Sequence, residues 1–342
     1  MFNFEPQHMK SPLSHFSRNF HNGCTTTQLQ VLPPPLQSPP SISPPSRATG
    51  KPSRSSSLRL DSVSRVEEEA RSFFAMPTAE KLATNPQNAR SINSTTRIGY
   101  GIRNIGCSGD MGEIEYLLLS ARPSSVSQLA LSLSKSPSNF SCVLNGYIEE
   151  IKNVACEVLD LVAEGLGISD ASIFSRMILD DQNDSLFRIN RYRPFAEDII
   201  NHPPPNTIGF SEHTDPQILT ILRSNDVGGF HISLDDGSWV PVSPDPTAYF
   251  IIIGDLFQVL TNGRFVNPKH RVATNIGPKA RMSMAYFAAP SLNALISPLL
   301  KEMATSNQPC LYRPFTWGEY RSHLYSLPLA SSKLDSFKIK PN

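Results

Sequence analysis

The stretch Gly209–Ser224, GFSEHTDPQILTILRS, decides how the rest of the chain is read. It is largely apolar, yet it places His213 and Asp215 one residue apart. In an extended strand, residues i and i+2 face the same side, so this imidazole and this carboxylate would project together. The following QILTILRS reads as another strand. If the shared face is the inside of a barrel, His213 and Asp215 converge on one point and invite a third group.

Working outward, a period of two continues from Ser185. SLFRINRYRP alternates, and FHISL, WVPVSP, AYFIIIGDLFQVLT, RFVNPKHRVAT and RMSMAYFAAP follow as short strands. Turn signals separate them at Asp226-Val227-Gly228-Gly229, Asp235-Asp236-Gly237 and Asn262-Gly263. Closely spaced strands of this kind imply an antiparallel barrel or jelly roll. Upstream, DSVSRVEEEARSFFAMPTAEKLA has helical spacing broken by Pro77. SNFSCVLNGYIEEIKNVACEVLDLVAEGLGI carries an apolar stripe at Val143, Tyr147, Ile151, Val154, Val158 and Val162, ending at Gly165 and Gly167. Between these helices, RIGYGIRNIG reads as a loop and Ile114–Leu119 as a short strand, and the glycine spacing does not match a dinucleotide fingerprint. A last helix is expected around Thr316–Ser326. The fold class is therefore β-rich α+β, a double-stranded β-helix (jelly-roll) core with supporting helices.

The third group is His270, in NPKHRVATN at the start of a later strand. Two histidines and one carboxylate on one side of a metal leave open positions and suit Fe(II) better than a closed structural zinc site. Further on, Arg281 and Ser283 share a strand face whose continuation, Ala285 and Phe287, is apolar. A guanidinium there needs an anion, either a protein acid such as Asp255 or a bound carboxylate gripped by a two-pronged fork.

The order H-x-D, then H, then R-x-S, with the Asn190–Tyr192 segment NRY ahead of it, resembles the plant 2-oxoglutarate- and Fe(II)-dependent dioxygenases. Within them it is most similar to gibberellin 2-oxidases acting on C19 gibberellins. GFSEHTDPQILTILRSNDVGGFHISLDDGSWVPVSPDP, GDLFQVLTNGRFVNPKHRVATN and IGCSGDMGEIEYLLL carry the likeness, which spans roughly Ser64 to Leu329. The resemblance implies that His213, Asp215 and His270 hold Fe(II). It implies that Arg281 and Ser283 grip the distal carboxylate of 2-oxoglutarate, with Tyr192 as a further donor and Asn190 nearby. With O2 as co-reactant, a small diterpenoid acid of the gibberellin type would be 2β-hydroxylated and inactivated. Turnover of another small apolar plant metabolite, or an inactive truncated paralogue, are the alternatives at this point. Arg97, Tyr100 and Arg103 are candidates to hold the substrate, although each also fits an ordinary loop position. Glu113 stands where relatives often carry Trp. His231 reads as an ordinary strand histidine, and Tyr286 as packing.

Residues 1–60 differ in character. VLPPPLQSPPSISPPSRATGKPSRSSS is rich in Pro and Ser and poor in acids, so disorder is expected, with a plastid transit peptide as the alternative. The family's P-x-I-D-L and G-F-F…N-H-G strands have no counterpart, so an uncovered sheet edge is expected. The division is 1–60 disordered, 61–180 helical, 181–330 jelly-roll core with its C-terminal helix, and 331–342 tail. A net charge of +1 implies no nucleic-acid partner, and no apolar run approaches the ~20 residues of a membrane span. Five scattered cysteines read as reduced thiols in the cytoplasm. The sequence sets no oligomeric state.

Overall fold

The computed structural model describes residues 2–4, 28–31, 60–85, 98–104, 111–194, 208–275, 277–303 and 308–340. In chain order the strands are β1 (Phe2–Phe4), β2 (Gln28–Val31), β3 (Gly99–Asn104), β4 (Met111–Ser120), β5 (Leu186–Tyr192), β6 (Ile208–His213) and β7 (Leu219–Ser224). They continue as β8 (Phe230–Ser233), β9 (Trp239–Pro241), β10 (Tyr249–Ile253), β11 (His270–Ala273), β12 (Arg281–Ala288), β13 (Leu295–Ile296) and β14 (Phe315–Thr316). The helices are α1 (Leu60–Ala75), α2 (Thr78–Ala83), α3 (Pro123–Leu133), α4 (Pro137–Gly165), α5 (Ser175–Leu179), α6 (Asp255–Leu260) and α7 (Trp317–Leu324).

A major sheet runs in the order β1-β2-β10-β7-β12-β5-β4-β3, and a minor sheet runs β6-β11-β8-β9. Every pairing in them is antiparallel except β1 with β2. The period of two along each strand divides the apolar residues between two cores. On β12, Met282, Met284, Tyr286 and Ala288 join the larger cluster with α4 behind the sheet. Ala285 and Phe287 face the other way, toward Phe210, Phe230 and Val272 of the minor sheet. The space between the two sheets is thus the inside of the jelly roll.

Helix α4 forms because its apolar residues recur at helical spacing. Val143, Tyr147, Ile151, Val158 and Val162 are buried, each contributing roughly 1.5–3 kcal/mol if an aliphatic side chain is fully removed from water. It ends where Gly167 takes a φ of 72°. There the Gly167 and Ile168 N–H groups return to the carbonyls of Glu164 and Ala163, a left-handed stop that glycine adopts without strain. Helix α7 starts at the Thr316 hydroxyl, which accepts from the Glu319 N–H.

Several local expectations differ from the structure. AYFIIIGDLFQVLT is not one strand. β10 stops at Ile253 and α6 begins at Asp255, and a continuous apolar run does not by itself tell a buried strand from a buried helix. The glycine-containing loop is β3, paired with β4, which extends over ten residues rather than Ile114–Leu119. Helices α3 and α5 were not anticipated. Strands β3 and β4 add to the major sheet, so residues 61–180 contribute more than helices. An uncovered sheet edge was expected; in the structure β10 is paired with β2, antiparallel, and β2 with β1. Unpaired N–H and C=O groups on such an edge are a template for any nearby extended segment. Apart from these two short strands, residues 1–59 lie outside the described residues. The segment read as a tail packs its Phe337 against Phe315 and Tyr320.

Candidate active site

His213 ends β6 and His270 begins β11, and the two residues stand directly opposite each other in the antiparallel ladder. Their ring centroids are 4.2 Å apart. Asp215 follows β6, and its Oδ1 lies 3.7 Å from Nε2 of each histidine. One donor atom from each of the three lies within 4.8 Å of the others. The three side chains singled out by the sequence pattern thus lie together in the structure.

Backbone carbonyls orient the rings. Nδ1 of His213 lies 2.7 Å from the carbonyl of Ser211, and Nδ1 of His270 lies 3.2 Å from that of Pro268. A carbonyl can only accept, so each Nδ1 carries a proton, and Nε2 is the ring atom that faces Asp215. Burial, then the neighbouring His270, pushes the His213 pKa well below the usual imidazole value, which keeps the ring neutral. The Thr220 hydroxyl donates to Asp215 Oδ2 over 2.6 Å, leaving Oδ1 toward the imidazoles. Two imidazole nitrogens and one carboxylate oxygen on one wall of a cavity fit a divalent iron with open positions.

The same cavity, of about 60 Å³, continues to Arg281, Ser283, Asn190 and Tyr192. Register places Arg281 opposite Tyr192 and Ser283 opposite Asn190. Asn190 Nδ2 donates to Ser283 Oγ over 3.3 Å, and Tyr192 lines the same end of the cavity. Arg281 is only 1% exposed, and its Nε and Nη1 have no partner among the described residues. Asp255, the protein acid considered as its partner, is engaged elsewhere by Asn267, Tyr320 and Thr214. A buried guanidinium without a counter-ion is costly. A carboxylate, such as a dicarboxylic oxoacid carries, would fit the end of the cavity.

The suggested substrate handles fare differently. Tyr100 is not in the cavity. It donates to Glu115 on the far side of the sheet, where Lys81, Arg191 and Arg193 also converge on that carboxylate. Arg97 lies outside the described residues, as do the side chains of Arg103 and Glu113. His231 alternates with the inward-facing Phe230 and Ile232 and its Nδ1 lies 2.9 Å from the Gly229 carbonyl, so it points away from the His213–Asp215–His270 cluster. Tyr286 is packed in the larger core. Sequence reasoning missed Thr220, Asn267 and Arg188. Thr220 was visible only as a polar break in QILTILRS, and Arg188 as the basic member of FRIN on the inward period of β5.

An outer cavity of about 200 Å³ shares Arg188, Phe210, His213, Asp215 and Phe287 with the inner one. Its further walls include Trp317, Leu324, Tyr325 and Leu329. The paired sheets, the histidine–aspartate–histidine cluster and the sealed guanidinium define an oxygenase of the 2-oxoglutarate and iron type. The profile of the 2OG-Fe(II) oxygenase superfamily matches residues 183–290. The structure is similar to the crystal structure of JOX2 in complex with 2OG, Fe and JA. The TM-score is 0.72 at 25% identity, covering 92% of this chain and 82% of that one. The rice dioxygenase for auxin oxidation superposes with a TM-score of 0.67 at 24% identity, covering 92% and 90%.

Gibberellin 2-beta-dioxygenase 4 of Arabidopsis thaliana is 47% identical over 283 residues, 81% of this chain and 83% of that protein. Gibberellin 2-beta-dioxygenase 1 of Pisum sativum is 44% identical, covering 82% and 81%. The chain belongs to the gibberellin 2-beta-dioxygenase family. It is a 2-oxoglutarate-dependent dioxygenase that uses Fe(II), 2-oxoglutarate and O2 on a small-molecule substrate. No helix among the described residues is long and apolar enough to cross a membrane.

Proposed function

We propose that this protein 2β-hydroxylates C19 gibberellins, coupled to oxidative decarboxylation of 2-oxoglutarate, and so inactivates the hormone. In this reading His213, Asp215 and His270 hold Fe(II). Arg281 and Ser283 receive the distal carboxylate of 2-oxoglutarate, with Tyr192 and Asn190 completing the hydrogen bonds. When bound, iron, oxoacid and O2 together supply the oxidising chemistry, which yields succinate, CO2 and a new hydroxyl on the substrate.

The chain's own residues hold and shield this chemistry. The Ser211 and Pro268 carbonyls fix the imidazole rings, and Thr220 fixes the carboxylate. Phe210, Leu222, Phe230, Ile252 and Val272 line the cavity and keep water out. The leucines and Trp317 of the outer cavity suit a compact, largely apolar acid. The observation that carries the reading is the buried, unpaired Arg281 at the closed end of a cavity whose other wall is the His–Asp–His cluster. The substrate assignment rests on the 40–47% identity to gibberellin 2-beta-dioxygenases. The division into a leading segment (1–60), a helical part (61–180), a catalytic core (181–330) and a tail (331–342) belongs to the same proposal. So does a cytoplasmic location, which the free thiols Cys142, Cys156 and Cys310 support.

Purified protein supplied with Fe(II), 2-oxoglutarate, O2 and a C19 gibberellin is expected to form the 2-hydroxylated product and succinate in step. Turnover of a different acid with no 2-hydroxylated gibberellin would reject this substrate class.

A further inference from the structure

One cation of the cavity is unaccounted for by iron or oxoacid. Arg188 stands on the inward face of β5, two residues before Asn190, and lines both the inner and the outer cavity. Its Nε and Nη2 are out of contact with solvent and have no hydrogen-bond partner among the described residues. The other cations at the mouth are engaged. Arg321 is paired with Asp184 at 2.6 Å, and Lys333 donates to the Thr214 carbonyl. The Arg188 guanidinium is also held in place. Its Cζ lies 3.9 Å from the centroid of the Tyr116 ring and 5.1 Å from that of Phe210. Phe210 in turn sits 4.5 Å from the His213 ring.

Tyr116 can take this position only because of Gly101, its partner in the β3–β4 ladder. A Cβ at Gly101 would stand 2.3 Å from the Tyr116 ring. The glycine that looked like a loop residue is thus the floor of a stack in which Gly101 admits Tyr116 and Tyr116 flattens Arg188. Stacking fixes the plane of a guanidinium while leaving its N–H edge free. A planar, fixed, unpaired fork at the junction of the two cavities is built to meet a carboxylate entering from the outer one.

We propose that Arg188 receives the carboxylate of the substrate acid and sets the enzyme's preference for acids over neutral analogues, with Gly101 and Tyr116 as positioning residues. This rests on the reading of the site given above. Two carboxylates could claim the group, that of the substrate and the metal-proximal one of 2-oxoglutarate; it falls to the substrate because, of the two unpaired arginines, Arg281 lines only the inner cavity, whereas Arg188 also reaches the outer one.

The test is equilibrium binding to protein loaded with Mn(II) and 2-oxoglutarate, using a C19 gibberellin as free acid and as its methyl ester. For Arg188→Met, acid binding is expected to weaken about 10- to 100-fold, the range for hydrogen bonds to a charged group. The ester should bind wild type and variant alike, which also reports an intact pocket. The Kd for 2-oxoglutarate should hold within about 2-fold, since its charged fork is Arg281. Gly101→Ala should weaken the acid but not the ester, by displacing Tyr116. Equal acid binding to wild type and Arg188→Met would overturn the proposal, as would a loss confined to 2-oxoglutarate. If neither gibberellin form binds wild type, the gibberellin assignment fails on its own. The same contrast is then read with cinnamate and its methyl ester, and failure of Arg188→Met to weaken the acid there, or no acid binding at all, overturns the proposal.

Discussion

The backbone N–H of Asp255 donates to the carbonyl oxygen of Asp215 over 2.8 Å. Asn267 Nδ2 reaches the same carbonyl at 2.7 Å and Asp255 Oδ1 at 2.9 Å. The first residue of α6 therefore anchors the loop that presents the cluster's carboxylate. The anchor extends outward, because Asp255 Oδ2 accepts from Tyr320, whose ring packs on Phe337. The geometry of the His213–Asp215–His270 cluster is thus fixed partly from the far end of the chain.

Gly254 makes that anchor possible. A Cβ there would stand 1.8 Å from the Gln217 carbonyl oxygen, with no flexible side chain to give way. Gly254→Ala is expected to cost at least about 1–3 kcal/mol through overpacking and to displace Asp215. Thermal melting and metal titration of the variant check both effects together. A variant with wild-type stability and metal affinity would show that the contact is not limiting.

Thr220→Val removes the donor to Asp215 Oδ2 while nearly preserving volume. Metal affinity is expected to fall about 10–100-fold, as when a group orienting a ligand is lost. Isothermal titration with Fe(II) under anaerobic conditions measures it, and an unchanged affinity would mean that Asp215 is held well enough by its backbone.

Arg281 trades stability for binding. Arg281→Met removes a buried, unpaired guanidinium, so the protein without 2-oxoglutarate is expected to melt at a higher temperature than wild type. Wild type should gain about 2.7 kcal/mol from 2-oxoglutarate at 100 times its Kd, and the variant should gain none. Arg281→Lys keeps the charge but cannot fork, so its requirement for 2-oxoglutarate should rise. A variant that is stabilised by 2-oxoglutarate like wild type would make the arginine merely structural.

Glu115 gives the stability a pH dependence. Burial alone would raise its pKa, but hydrogen bonds from Arg193, Lys81 and Tyr100 outweigh that and lower it from 4.5 to about 2. A depressed carboxylate stabilises fully above its unfolded pKa, and the stabilisation is lost as pH falls toward the folded one. Glu115→Gln leaves Lys81 buried without its counter-ion and is expected to cost about 3–5 kcal/mol at pH 7. The gap between wild type and variant should narrow as pH falls from about 4.5 toward 2. Denaturant melts across that interval check this, and parallel curves would show that Glu115 does not titrate in unfolding.

What could be read in the sequence was what periodicity and residue type express. The alternation of RMSMAYFA told which face Arg281 and Ser283 share, and H-x-D told that His213 and Asp215 leave a strand together. The boundary between β10 and α6 was not legible, because IIIGDLF is apolar but for Asp255 and its periodicity does not separate a buried strand from a buried helix. The glycines of GYGIRN looked like loop residues, because nothing local shows that Gly101 makes room for a tyrosine on the next strand. Thr220 and Asn267 act on Asp215 through tertiary contacts, which no short motif encodes.

The central claim is that His213, Asp215 and His270 hold a single iron. Anaerobic Fe(II) titration of wild type and of His213→Ala, Asp215→Ala and His270→Ala, with circular dichroism as the check on folding, tests it most directly. The account predicts one tight equivalent for wild type and its loss in each folded variant. Tight, stoichiometric binding retained by the Asp215→Ala protein would contradict it.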